Sequence, residues 1–181
     1  VADSGEHQKM IAKHYDFKRF NTWFTNAGKN SPGFGLPAAI GVKFARPNEE
    51  VWCITDSLGF QTTVQHLKKL TDFNLNINII VINQTSLDMK ASPKSEEEQE
   101  FPDLIRIAGS YGVPGLRITK LEEIENAINW SKTEKTPTLL EFICDPKDYT
   151  YPMVSDDSEV KTTMIDEDDL SNIPVSKIRP L

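Results

Sequence analysis

The sequence predicts an α/β protein: a doubly wound, mostly parallel sheet with helices on both faces. Three observations carry this. Short β-branched runs alternate with segments of helical period. The central run INIIVIN (77–83) is apolar without alternation, as befits a strand buried on both faces. The connections between runs are long enough to hold crossover helices, so neighbouring strands pair in parallel with right-handed connections.

Each element follows in order. NTWFT (21–25) reads as a strand. GLPAAIGVKFA (35–45) reads as a helix whose Ala38, Ala39 and Gly41 allow close packing. VWCIT (51–55) is a strand, and 61–73 a helix with Val64, Leu67 and Leu70 on one face. After the strand 77–83 comes a polar stretch, 84–100, in which Glu96, Glu97 and Glu98 read as a solvated face. Pro102 suits the first turn of a helix carrying Leu104, Ile105, Ala108 and Tyr111. LRIT (116–119) is a short strand, 120–131 a helix, and TPTLLEFIC (136–144) the last strand. Residues 1–154 form one domain. Residues 155–181 hold seven acidic residues against Lys161, Lys177 and Arg179, show no apolar period, and read as a loosely held acidic tail.

Composition excludes several classes. A net charge of −7 argues against nucleic acid and anionic membrane as partners. No apolar run is long enough to cross a bilayer, and the start VADSGEHQKM lacks the form of a signal peptide. Cys53 and Cys144 lie in strand-like runs and read as free thiols of a reducing compartment, cytoplasmic or organellar. His7, His14 and His66 form no metal spacing, and no serine nucleophile motif is present. In a doubly wound sheet the ligand site lies beyond the carboxyl ends of the strands, here the loops 26–35, 55–60 and 84–90.

Those loops, taken in order, carry a resemblance. VADSGEHQ, GFGLPAAIGVKFARPNEEV, GFQTTVQHLKKLTDFNLNINIIVINQ, YGVPGLRITKLEEIENAI and TPTLLEFICDPKDYTYPMV resemble the C-terminal, diphosphate-binding domain of the acetohydroxyacid (acetolactate) synthase large subunit over about residues 1–154. The resemblance implies thiamine diphosphate and Mg²⁺ as cofactors. It implies a reaction of branched-chain amino acid biosynthesis that joins two 2-oxo acids with loss of carbon dioxide. Its implied partners are an N-terminal pyrimidine-binding domain, which supplies the activating glutamate, and a second copy in a homo-oligomer. Nothing in the chain resembles that N-terminal domain, so the expectation is either an excised C-terminal part or a stand-alone relative, lacking half of the family's site in both cases.

The resemblance also places the site. The family's Gly-Asp-Gly aligns with Asp56, Ser57 and Leu58, ahead of Gly59. Its metal-binding amide aligns with Gln84 and its backbone-carbonyl ligand with Ser86, so the metal positions are Asp56, Ser57, Gln84 and Ser86. Its Gly-Gln-His-Gln run aligns with Gly5-Glu6-His7-Gln8, which keeps His7 and Gln8 as diphosphate donors. Its wedge methionine aligns with Pro32, beside Gly33, and its methionine at the reaction centre with Met89.

Read as chemistry, these positions have lost much of what a metal diphosphate needs. Mg²⁺ wants hard oxygen ligands in near-octahedral geometry, and Ser57 offers a neutral hydroxyl where the family has a carboxylate. Leu58 is bulky where backbone must approach phosphate, and is strained there if the position needs positive φ. Gln84 displaces the amide by a methylene, and Glu6 adds negative charge beside two phosphates. Asp56 restores a metal ligand if the loop shifts by one residue; otherwise it is a helix cap or turn carboxylate. The expectation is a degenerate cofactor domain with a structural or regulatory role. The alternatives are an active acetolactate synthase part, completed by its N-terminal domain and Mg²⁺, or a module for another ligand.

Overall fold

The computed structural model describes residues 1–26, 31–84, 102–144, 153–154 and 163–164. Four parallel strands form the sheet: β1 (Trp52–Asp56), β2 (Asn78–Asn83), β3 (Gly115–Ile118) and β4 (Thr138–Ile143), in spatial order β1-β2-β4-β3. Register runs Trp52↔Asn78 through Asp56↔Ile82, Asn78↔Thr138 through Asn83↔Ile143, and Gly115↔Leu139 through Ile118↔Phe142. Val1–Asp3 extends the sheet beyond β1: Asp3 N–H donates to the Ile54 carbonyl (2.8 Å) and Ile54 N–H to that of Val1 (2.9 Å). Ala2 N–H in turn donates to the Phe24 carbonyl (2.9 Å). The expected strand 21–25 is thus no regular strand: Asn21 turns at φ 56°, and the segment meets the outer edge through the Phe24 carbonyl.

Alternation along the central strands sorts the core into two layers. Ile79, Val81 and Leu139 face one cluster with Leu36, Phe60, Leu67 and Leu104. Ile80, Leu140 and Phe142 face the other, with Ile118, Ala127 and Trp130. Both faces of β2 and β4 are therefore covered, and the doubly wound prediction holds.

Among the described residues six α-helices flank the sheet: α1 (Glu6–His14), α2 (Gly35–Ala45), α3 (Ser57–Thr63), α4 (Leu67–Asp72), α5 (Leu104–Ser110) and α6 (Ile124–Thr133). Four of them, α1, α3, α4 and α5, differ from expectation. Helix α1 was not anticipated. Gly5 precedes it at φ 141°, Glu6 lies in its first turn and Lys13 and His14 in its last, a charge order that complements the helix dipole. The helix expected over 61–73 begins four residues earlier, at Ser57, so the expected loop 55–60 is mostly helical, and it divides into α3 and α4 at a 3₁₀ turn, Val64–His66. Thr62 and Thr63 hydroxyls both donate back to the Gly59 carbonyl (2.9 Å each), and such bonds compete with the helical ladder. Helix α5 starts after Pro102, not at it: Asp103 caps it, accepting from Arg106 N–H (3.2 Å).

Cys53 is buried and Cys144 half-buried, and neither forms a disulfide among the described residues; burial pushes the Cys53 thiol up to about 12. Among the described residues no helix is long and apolar enough to cross a membrane. The chain divides into two compact units, Val1–Asp148 and Tyr149–Leu181. Within the second, Met153–Val154 (β5) pairs antiparallel with Thr163–Met164 (β6). Most of the acidic tail lies outside the described residues.

Candidate functional site

The chain winds away in opposite directions from Val1–Asp3 and from β1, one toward Phe24 and the other toward β2. Residues that follow these two segments meet at the switch point, where such sheets hold their ligands. They are Ser4 to Gln8 on one side and Asp56 to Gly59 on the other, with Ser31 to Phe34 over them.

Asp3 organises this junction. It is fully buried, and its carboxylate accepts from Ser4 N–H (2.8 Å), Phe34 N–H (3.1 Å), Gly33 N–H (3.0 Å) and Thr55 Oγ1 (3.0 Å). Gly33 sits at φ 93°, where a Cβ would come within 2.7 Å of Thr62 Oγ1, so only glycine lets this turn close on α3. Ser4 ties the same turn: its hydroxyl donates to the Ser31 carbonyl (2.9 Å) and accepts from Ser31 N–H (3.1 Å). Pro32, at the wedge position, is exposed in the turn.

Asp56 caps α3, accepting from Gly59 N–H at 2.6 Å with its own backbone extended. A Cβ on Gly59 would meet Thr55 Oγ1 at 2.5 Å, Asp3 Oδ2 at 2.7 Å and Asp56 Oδ1 at 3.1 Å. Two carboxylates of the chain therefore crowd this close approach. Ser57, the first helical residue, is buried, and among the described residues its Oγ has no hydrogen-bond partner. Leu58 is helical and 42% exposed; it does not adopt positive φ, so the strain considered for it is absent.

His7 is the second residue of α1, buried, and among the described residues its Nε2 has no partner. Burial lowers the imidazole below its ordinary value, against the opposing pull of the Asp56, Asp3 and Glu6 charges. Glu6 pairs with Lys9 through Oε1 (2.9 Å) and leaves Oε2 buried without a partner. Gln8 Nε2 bonds Thr25 Oγ1 and Asn26 Oδ1 (3.3 Å), so it braces the neighbouring segment. Gln84 is exposed at the end of β2. Ser86 and Met89 lie outside the described residues.

The fit to a metal diphosphate is poor. Anion sites at such junctions offer backbone N–H groups, and here those of Gly33, Phe34 and Gly59 already serve Asp3 and Asp56. A diphosphate would approach the half-buried Asp56 and Glu6, like charges that oppose it, with Asp3 buried behind them. Asp56 is engaged as a cap, and Ser57 brings no charge to a metal.

Sequence reasoning missed Asp3 and a second buried carboxylate, Glu141. Glu141 is 1% exposed on β4, bound by Asn83 Nδ2 (2.8 Å) and by Arg117 Nε (2.7 Å), its register partner on β3. Arg117 reaches on to Asp103 (3.0 Å), the α5 cap, and its pKa is raised by the Glu141 bond first. A charge opposite a charge in adjacent parallel strands was the available signal for this pair.

Comparison with known proteins agrees with this architecture. Residues 3–142 match the family model for the thiamine pyrophosphate enzyme, C-terminal TPP binding domain. The chain is 31% identical to acetolactate synthase 3, chloroplastic, of Brassica napus, over 91% of this chain and 28% of that protein. It is 33% identical to the acetolactate synthase large subunit of Buchnera aphidicola from Acyrthosiphon pisum, over 84% of this chain and 29% of that protein. Identity to the acetolactate synthase isozyme 3 large subunit of Escherichia coli K12 is 31%, with 84% and 29% covered. The chain thus spans under a third of the length of these relatives. A solved thiamine diphosphate-dependent 4-hydroxybenzoylformate decarboxylase from Rhodococcus jostii RHA1 shares the fold, with TM-score 0.53 and 23% identity over 63% of this chain and 23% of its own. On sheet, switch point and family match together, the chain belongs to the thiamine pyrophosphate enzymes, as a C-terminal TPP-binding domain of the acetolactate-synthase-like kind.

Proposed function

We propose that this domain keeps the architecture of a thiamine diphosphate site while its grip on diphosphate and Mg²⁺ is lost or weak, so that it acts as a non-catalytic structural or regulatory homologue. The observation that carries this reading is the occupation of the site by the chain's own carboxylates. Asp3 and Asp56 take the Gly33, Phe34 and Gly59 amides, and Ser57 stands neutral at the family's metal-ligand position. Partner chemistry follows the family: a pyrimidine-binding domain and a second copy of the protein.

The competing reading is an active acetolactate synthase part that condenses two pyruvates to 2-acetolactate and CO₂ with an N-terminal domain and Mg²⁺. Its support is the identity above 30% to acetolactate synthases across most of this chain. Calorimetric titration of the full-length protein with thiamine diphosphate and Mg²⁺ separates the two. The proposal expects no metal-dependent binding at micromolar cofactor. Micromolar, Mg²⁺-dependent heat overturns it in favour of the enzyme.

A further inference from the structure

A second concavity lies away from the switch point, against the residues that lead into β1. It encloses about 370 Å³, toward the small end of the ~300–1,000 Å³ typical of small-molecule sites. Ile11, Val42 and Ile54 give it aliphatic lining, and Tyr15, Trp23 and Trp52 give it aromatic lining. The aromatic side is braced. Tyr15 and Trp23 pack at a 39° tilt with ring centres 5.7 Å apart, and Phe17 meets both edge-on at 4.8 and 5.8 Å. Trp52 Nε1 donates to Glu50 Oε1 (2.6 Å), which sets the indole plane.

Charge around this cavity is nearly all engaged. Lys18 pairs with Asp16 (3.0 Å) and Arg19 with Glu49 (3.4 Å), while Glu50 accepts from Trp52. Arg46 is the exception: it lines the cavity at the end of α2, and among the described residues its guanidinium has no side-chain partner. A free guanidinium beside apolar walls calls for a planar anion with an apolar body. The carboxylates of Asp16, Glu49 and Glu50 line the same cavity, so a dianionic phosphate is repelled more than a singly charged acid.

We infer that this cavity binds a small carboxylic acid with an aryl or branched-alkyl body, its carboxylate held by Arg46 and its body by Tyr15, Trp23 and Trp52. The inference is independent of whether the switch-point site holds a cofactor, because the two share no residue.

The test is calorimetry on the full-length protein with 3-phenylpropionate, its uncharged amide and its amine counterpart 3-phenylpropylamine. The acid is expected to bind saturably, and the amide about tenfold or more weaker, a loss of roughly 1.4 kcal/mol. R46Q should weaken the acid by a similar factor and leave the amide unchanged. Ile11→Trp should fill the space and weaken both. If Arg46 serves only the α2 carboxyl terminus, R46Q lowers thermal stability without changing acid binding, and the inference fails. It fails equally if millimolar acid gives no saturable heat, or if the amine binds more tightly than the acid.

Discussion

Asp3 is the residue on which the switch point depends most. Its carboxylate holds four donors from three separate stretches of chain and is wholly closed to solvent. Asp3→Ala leaves buried N–H and O–H groups unpaired, and should cost on the order of 3 kcal/mol in urea unfolding; a loss within error of zero would remove Asp3 from that role. His7 gives a pH signature. Its imidazole is held below the ordinary value chiefly by burial, so the unfolded chain takes up the proton first as pH drops below about 6.5. The resulting stability is complete above that pH and declines as pH falls toward the folded value. His7→Gln should flatten the decline that sets in below about pH 6.5; equal slopes in variant and wild type would contradict the assignment. Neither role was legible beforehand. Asp3 reads in the sequence as one acid near the start, and its partners lie up to 52 positions away. His7 was found only through its motif, and its burial depends on a helix not read from the sequence.

At the scale of elements, local chemistry explains both the successes and the misses. Helix α2 was predicted to its observed ends, because small residues and a following Arg-Pro mark it clearly. The break between α3 and α4 was not, because apolar spacing runs straight through it and the interruption comes from threonine hydroxyls. Helix α3 supplies a direct test of Asp56. Asparagine caps a helix about as well as aspartate. Asp56→Asn should therefore unfold near the wild-type midpoint, while Asp56→Ala loses about 1 kcal/mol; equal losses would mean that charge, not capping, is what Asp56 contributes. Strands β3 and β4 are joined by the Arg117–Glu141 pair, which is buried at one end only. Arg117→Ala strands a carboxylate that is 1% exposed and should cost about 3 kcal/mol. Glu141→Gln keeps the Asn83 contact without that charge and should cost less. The reverse order would show that the guanidinium, not the buried carboxylate, sets the energy.

For the whole molecule, the parallel sense and the helix-covered faces followed from patterning, since each buried strand needs both faces covered and each crossover needs a helix; the spatial order β1-β2-β4-β3 did not. The site was legible as a place, and its chemistry only as a mismatch between residues and cofactor. What the sequence could not display is how the mismatch resolves: the amides that suit an anion are held by two aspartates of the same chain. That arrangement makes a firm statement about metal. Electron paramagnetic resonance of Mn²⁺ in the presence of thiamine diphosphate, with the full-length protein and with Ser57→Asp, measures it most directly. The account predicts an undiminished free-ion signal for the wild-type protein. Depletion of that signal by wild-type protein at micromolar Mn²⁺, dependent on thiamine diphosphate, would contradict it.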